Sequence, residues 1–389
     1  MRSRSPALTF ALTAAICALM TACAADDAPD KAGSGGEDTG APLDPGPAYQ
    51  PPGAAGPYLV GTYASAFTSR DGLELPVQIW YPVDPEDQGF LHEYDGLVTG
   101  AALNDATPRC DGLRPVALFS HGNGGVRFQS VFLTEHLASR GWIVVAPDHV
   151  GNTLFDLDDD RLEELIFRRP ADIADAADWL FDIEAGSAGP LAGCVDPVAG
   201  YAVLGHSFGG FTALALTGGA WEAEAIAASC GAPGRDRWLC DQTLAGLEAR
   251  GGQAEVADRR VWASVPMTPA GRDVLEPALA RAVVPTLVIG GGRDTLTTIE
   301  RQVEPLYAAV GGRPKALGLL ADAGHYTFSD LCGWAPTYDD CFAPYLEPAV
   351  AHAVTNEAVD GFLDELRGVD AAAGSFPPAA AEATFTVER

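Results

Sequence analysis

Ser207 stands in Gly205-His206-Ser207-Phe208-Gly209-Gly210, directly after the apolar run Tyr201-Ala202-Val203-Leu204 and directly before Phe211-Thr212-Ala213-Leu214-Ala215-Leu216. That order reads as strand, sharp turn and helix, a setting that strains the serine backbone and projects its hydroxyl above a sheet. A serine hydroxyl is a poor nucleophile at neutral pH, so it needs a base within hydrogen-bond reach and an acid to orient that base. Downstream, Val284-Pro285-Thr286-Leu287-Val288-Ile289-Gly290 reads as a buried strand, and Asp294 follows in Gly290-Gly291-Gly292-Arg293-Asp294. Ala316-Leu317-Gly318-Leu319-Leu320 reads as another, ending in Ala321-Asp322-Ala323-Gly324-His325. Ser207, Asp294 and His325 are therefore the candidate nucleophile, acid and base, each placed after a separate predicted strand. Asp148, Asp322 and Asp330 are alternative acids, placed less naturally than Asp294. The chemistry such a set performs is acyl transfer through a covalent serine intermediate.

A tetrahedral intermediate also needs donors aimed at its oxyanion, commonly two backbone N–H groups. One is expected from Phe208, the residue after the serine. The other is expected from Asn123, because Pro115-Val116-Ala117-Leu118-Phe119-Ser120 reads as a strand that ends in the glycine-rich loop His121-Gly122-Asn123-Gly124-Gly125.

The elements that must hold these residues alternate short apolar strands with helical stretches, which predicts an α/β architecture with a mostly parallel central sheet and helices on both faces. Leu75-Pro76-Val77-Gln78-Ile79-Trp80-Tyr81-Pro82 reads as part of an antiparallel amino-terminal strand pair. Phe119 to Gly125, Val144-Val145-Ala146-Pro147-Asp148-His149, Arg169-Pro170-Ala171-Asp172-Ile173 and Gly205 to Gly210 together resemble the α/β-hydrolases related to platelet-activating factor acetylhydrolase and predicted dienelactone hydrolases. The resemblance runs, with gaps, from about Tyr58 to Gly368. It implies the α/β-hydrolase fold, a serine esterase activity, Ser207, Asp294 and His325 as the triad, and Asn123 and Phe208 as the oxyanion hole. Two departures stand out: Asn123 occupies a position where leucine is common, and the nucleophile is serine where dienelactone hydrolases proper carry cysteine, which disfavours dienelactones as substrates.

Arg2 and Arg4 precede an apolar, alanine-rich run from about Pro6 to Met20 that has the shape of a bacterial secretory signal and is too short to span a membrane. Thr21-Ala22-Cys23 resembles a lipoprotein cleavage site, so Cys23 is the expected lipidated first mature residue, with simple secretion as the alternative. The expected layout is a signal peptide over residues 1–22, a disordered Ala-, Gly-, Pro- and Asp-rich tether over 23–57, one hydrolase domain over 58–370 and a low-complexity tail over 371–389. Residues 221–260 read as a small cap insertion that could form part of an acyl or leaving-group pocket. Tyr326 to Tyr345, with Phe328, Trp334, Tyr338 and Phe342, could form a second wall.

Six further cysteines lie beyond Cys23: Cys110, Cys194, Cys230, Cys240, Cys332 and Cys341. In an exported chain they suggest up to three disulfides; proximity favours Cys230 with Cys240 and Cys332 with Cys341, leaving Cys110 with Cys194, although sequence permits other pairings. The formal charge of −29, with lysine only at Lys31 and Lys315, argues against nucleic acid and against adhesion to anionic lipid. Neither a Walker loop nor a dinucleotide fingerprint opens the domain, so nothing demands a cofactor, and no cysteine spacing resembles a closed zinc site. Asp148 and His149, at a strand end, read as structural. The expected function is cleavage of carboxylic esters, with short acyl groups favoured and a lipase-like or polyester hydrolase as the alternative. Partners are then a small-molecule, lipid or polymer ester, with membrane contact only through a lipid anchor at the bacterial cell envelope. A non-catalytic surface-binding lipoprotein is the reading from another class.

Overall fold

The computed structural model describes residues 53–389 except 159, 160, 185, 187, 188, 197 and 370–373. The predicted signal peptide, Cys23 and residues 23–52 of the predicted tether lie outside the described residues.

Strands β1 (Leu59–Thr68) and β2 (Glu74–Val83) form the antiparallel pair expected at the amino terminus, followed by the short β3 (Leu91–Tyr94) and β4 (Val98–Asn104). The alternation then runs β5 (Val116–Ser120), α1 (Val131–Ser139), β6 (Ile143–Pro147), α2 (Leu162–Trp179), β7 (Tyr201–His206) and α3 (Phe208–Ala215). The insertion contributes β8 (Trp221–Glu222), α4 (Ala223–Cys230), α5 (Arg237–Ala249) and β9 (Gln253–Ala254). The chain continues with β10 (Val261–Met267), α6 (Arg272–Leu279), β11 (Thr286–Gly291), α7 (Glu304–Ala309) and β12 (Lys315–Leu320). It closes with α8 (Leu331–Trp334), α9 (Pro348–Leu366) and β13 (Ala383–Glu388).

The main sheet has the order β13-β12-β11-β10-β7-β5-β6-β2-β1-β4-β3. Its centre, from β6 through β12, is parallel, while β2 joins β6 and β13 joins β12 in the antiparallel sense. This is the mostly parallel sheet of an α/β-hydrolase fold. The parallel strands are buried on both faces, which is why they read as continuous apolar runs. Successive residues of β5 show the division: Ala117 and Phe119 pack with α1 and α9, whereas Val116 and Leu118 pack with α2. Because parallel strands point one way, the segments after β5, β7, β11 and β12 emerge at the same edge of the sheet, and these carry Asn123, Ser207, Asp294 and His325.

Both ends of the domain differ from expectation. Gly53 to Pro57, predicted as tether, are tied to the domain: the Gly53 N–H donates to Asp360 and the Gly56 N–H to Ser139 Oγ, both at 2.9 Å. A Cβ on Gly56 would stand 1.8 Å from the Ser139 carbonyl oxygen, so the glycine that reads as linker composition permits a close approach. At the other end, the predicted low-complexity tail contains β13. Alanine-rich composition hides a short alternation in which Phe385 and Val387 lean on the core, and Phe376 is buried between Phe362 and Phe385.

The insertion packs its apolar residues against α2, α3 and α6, in a cluster that includes Phe208, Phe211, Trp221, Cys230, Cys240 and Leu275. Three disulfides join Cys110 to Cys194, Cys230 to Cys240 and Cys332 to Cys341. Such bonds persist in oxidising compartments and fit an exported protein. Among the described residues, no helix is long and apolar enough to cross a membrane.

Candidate active site

Ser207 sits between β7 and α3 with φ 58° and ψ −115°, a left-handed conformation that a side-chain-bearing residue adopts only under constraint. The flanking glycines explain how the turn closes. A Cβ on Gly205 would lie 2.2 Å from the Gly209 carbonyl oxygen, and one on Gly209 would lie 1.8 Å from that of Ser120. The turn is held further by the Ser207 N–H donating to Met267 O at 2.9 Å.

Three side chains distant in sequence meet here. Ser207 Oγ lies 2.9 Å from His325 Nε2, and His325 Nδ1 lies 2.7 Å from Asp294 Oδ2. Asp294 Oδ1 accepts from the Leu296 and Thr297 N–H groups, each at 2.8 Å, and Oδ2 accepts from Thr297 Oγ1 at 2.7 Å. Burial pushes the Asp294 carboxyl up, but the bond and charge of His325 and the Thr297 donors outweigh it and hold the pKa below the ordinary value. An ionised carboxylate on Nδ1 fixes the imidazole with Nε2 free to accept the Ser207 proton. The alternative acids are engaged elsewhere: Asp148 pairs with Arg127, Asp322 with Arg293, and Asp330 accepts the Phe132 N–H at the start of α1.

Three amides clamp the loop 121–125. The Gly122 N–H donates to Gln129 Oε1 at 2.9 Å, that of Gly124 to Asn152 O at 3.2 Å and that of Gly125 to Gly122 O at 3.1 Å. Among the described residues, the Asn123 N–H has no protein acceptor, nor has the Phe208 N–H at the start of α3. Both backbone donors singled out by the sequence are therefore unspent, as is the His121 N–H among the described residues.

Several contributors were not foreseen. Gln129 Nε2 donates to His206 Nδ1 at 2.9 Å, and His206 Nε2 donates to the His325 carbonyl at 2.8 Å, so these two side chains join the 121–125 loop to the loop carrying His325. Burial, aided by the neighbouring His325, drives the His206 pKa down to about 3, and His206 stays neutral. A signal for Thr297 lay in its spacing, three residues after an acid in a turn. Around the base, Tyr326 packs edge-on to His325 and against Tyr338, and the Tyr326 N–H donates to Asp340 at 2.6 Å. Phe328, expected in that wall, is instead fully buried in the core.

Beneath the loop lies a second run of the same residue types. Ser120 Oγ is 2.9 Å from His149 Nε2, and His149 Nδ1 is 2.8 Å from Asp172 Oδ2, with all three side chains sealed from solvent. His149 is thus structural, as its position suggested. Among the described residues, no group of His, Cys, Asp and Glu side chains is disposed to hold a metal ion.

Residues 98–230 match the family model described as Chlorophyllase. That is a family of α/β-hydrolase esterases, and the matched stretch runs from β4 through α4, taking in Asn123, Ser207 and Phe208. Over this third of its length the chain is similar to ester hydrolases of the α/β type. Asp294 and His325 lie beyond the match, and their assignment stands on geometry. No curated protein matches the chain.

Proposed function

We propose that the protein is a serine carboxylic ester hydrolase working through an acyl-enzyme. The observation that carries this reading is the continuous Ser207–His325–Asp294 hydrogen-bond chain at a strained turn, on the same sheet edge as the unspent N–H groups of Asn123 and Phe208. In the first half-reaction Ser207 Oγ bonds to the ester carbonyl carbon while its proton passes to His325 Nε2. Asp294 stabilises the resulting imidazolium, and the two N–H groups receive the charge that develops on the carbonyl oxygen. The carbon–oxygen bond to the alcohol then breaks, the alcohol taking the proton from His325. Water repeats the sequence on the acyl-enzyme, releasing the acid and restoring Ser207.

Short acyl esters are the favoured substrates. A second reading, a lipase-like or polyester-active cleft, draws on exposed apolar side chains beside the site. Leu157 lies against Gly124 in the oxyanion loop, Phe155 is two residues before it, and Leu296 is two residues after Asp294; all three are exposed. The experiment is kcat/KM on p-nitrophenyl esters from acetyl to long acyl, with Ser207→Ala as control. Serine-dependent turnover peaking at short chains supports the first reading and a peak at long chains the second. Absence of turnover across the series favours a binding role. Lipid anchoring at Cys23 belongs to the same proposal: Cys23→Ser should move the protein from the membrane fraction to the soluble one, and retention in the membrane fraction would count against it.

A further inference from the structure

Arg169 lies on α2 between Leu165 and Ile173 at four-residue spacing, on the buried stripe of the helix, and its side chain is wholly enclosed. The donors of its guanidinium reach three segments: the end of β5 with its loop, the segment after β6, and α3. Nη2 donates to the His121 carbonyl and, at 3.2 Å, to Ser120 Oγ; Nη1 donates to Asn152 Oδ1 at 2.5 Å. Asn152 passes the contact on, its Nδ2 donating to Asn123 Oδ1 at 2.7 Å while its carbonyl accepts the Gly124 N–H. On the other side, Arg169 Nε donates to Thr212 Oγ1 at 3.3 Å, and Thr212 Oγ1 donates to the Phe208 carbonyl at 3.0 Å. The guanidinium also lies over the Phe208 ring, 4.6 Å from its centroid.

Burying a cation is costly unless it is paired. The nearest carboxylate in sequence, Asp172, is bonded to His149, and among the described residues Arg169 makes no ion pair. Its partners are carbonyl, amide and hydroxyl oxygens, and its planar fork of five donors is the feature that reaches them all. A plain packing role would not require a cation whose partners Asn152 and Thr212 in turn bond the two residues carrying the candidate oxyanion donors.

We propose that Arg169 is the positioning residue of the oxyanion hole: it fixes the Asn123 loop relative to the Phe208 turn, and so the spacing of their two N–H groups. The inference rests on the serine hydrolase reading. A displacement of an oxyanion donor by a fraction of an ångström to one ångström costs rate without costing substrate binding.

The test compares Arg169→Lys, which keeps the charge and loses the fork, and Asn152→Ala, which breaks the relay to Asn123, with the wild-type full chain. The expected result in both is a fall in kcat of about 10- to 100-fold with KM nearly unchanged. Affinity for a trifluoromethyl ketone, which forms a charged oxygen on addition to the serine, should fall by the same factor, while the pH midpoint of kcat/KM stays in place. Where no ester is turned over, the rate of fluorophosphonate labelling of Ser207 replaces kcat. Folded variants with wild-type kcat and ketone affinity would overturn the proposal, as would a loss in which KM and the pH midpoint move together with kcat. If Arg169→Lys does not fold, Asn152→Ala decides by the same criteria; failure of both to fold overturns the proposal in favour of a purely structural role. Turnover surviving in Ser207→Ala would instead sink the serine hydrolase reading, leaving the two failures distinct.

Discussion

Two Ser–His–Asp chains run through this molecule with nearly the same hydrogen-bond lengths, 2.9 and 2.7 Å through Ser207, His325 and Asp294, and 2.9 and 2.8 Å through Ser120, His149 and Asp172. Connectivity therefore does not make a nucleophile. Ser207 stands partly exposed on a strained turn between a strand and a helix, whereas Ser120 is the last residue of a fully buried strand, where no ester carbonyl can approach. The charges differ as well. Asp294 is held below the ordinary carboxyl pKa by its donors, but burial pushes Asp172 up and drives His149 well below the ordinary imidazole value. The first chain retains the carboxylate that an imidazolium needs. The second holds a neutral imidazole in place and serves as scaffolding under the 121–125 loop.

The largest effect that could break this contrast comes from the serines. Ser207→Ala and His325→Ala should each lower kcat by about 10⁴-fold or more while thermal unfolding stays near wild type. Ser120→Ala should show the opposite profile: a kcat change under about tenfold, with stability falling by about 1–3 kcal/mol because His149 and Arg169 lose a buried partner. Equal kinetic losses at the two serines would erase the distinction.

The acids sharpen it. Asp294→Asn should lower kcat by about 10³- to 10⁴-fold at neutral pH, since the amide cannot hold the reactive tautomer or stabilise the imidazolium. Asp172→Asn should act mainly on unfolding in urea and leave most of the turnover, measured on the same ester.

The smallest effect concerns Asp330, which ties the segment after His325 to the start of α1. Burial raises its pKa from 3.8 to about 7. A carboxyl raised in the folded state contributes stability that is fully present below its unfolded pKa and lost as pH rises through its folded value. Asp330→Asn keeps an accepting oxygen but cannot ionise. Its stability relative to wild type should therefore rise between about pH 4 and pH 7, on the order of 1 kcal/mol or more, in urea titrations at the two ends. A constant difference across that window would show that Asp330 is not raised.

Much of the site was legible because its determinants are local. The run before Ser207, the glycines around it and the helix after it impose one backbone path, and the apolar runs before Asp294 and His325 mark strand ends. The donor Gln129 was not legible, since it sits in no pattern that distinguishes it from an ordinary polar residue, and Thr297 left only its three-residue spacing from Asp294 as a signal. Arg169 left a trace, a cation at four-residue spacing within an apolar stripe, but a stripe does not say what its donors reach. The tether at its inner end and the tail over Phe376 and β13 were misjudged for a related reason: Gly, Ala and Pro suit both a solvated linker and a backbone pressed against a neighbour, as at Gly56.

By itself, the sequence determined the order of strands and helices, the turn that strains Ser207 and the glycines that permit it, because backbone sterics and apolar periodicity act over a few residues. Only the tertiary structure decided which of four aspartates meets His325, which amides of the 121–125 loop are left unspent and which of two Ser–His–Asp chains faces solvent. Those choices depend on parallel strands bringing residues more than a hundred positions apart to one edge, and on burial setting the charge of each group they carry.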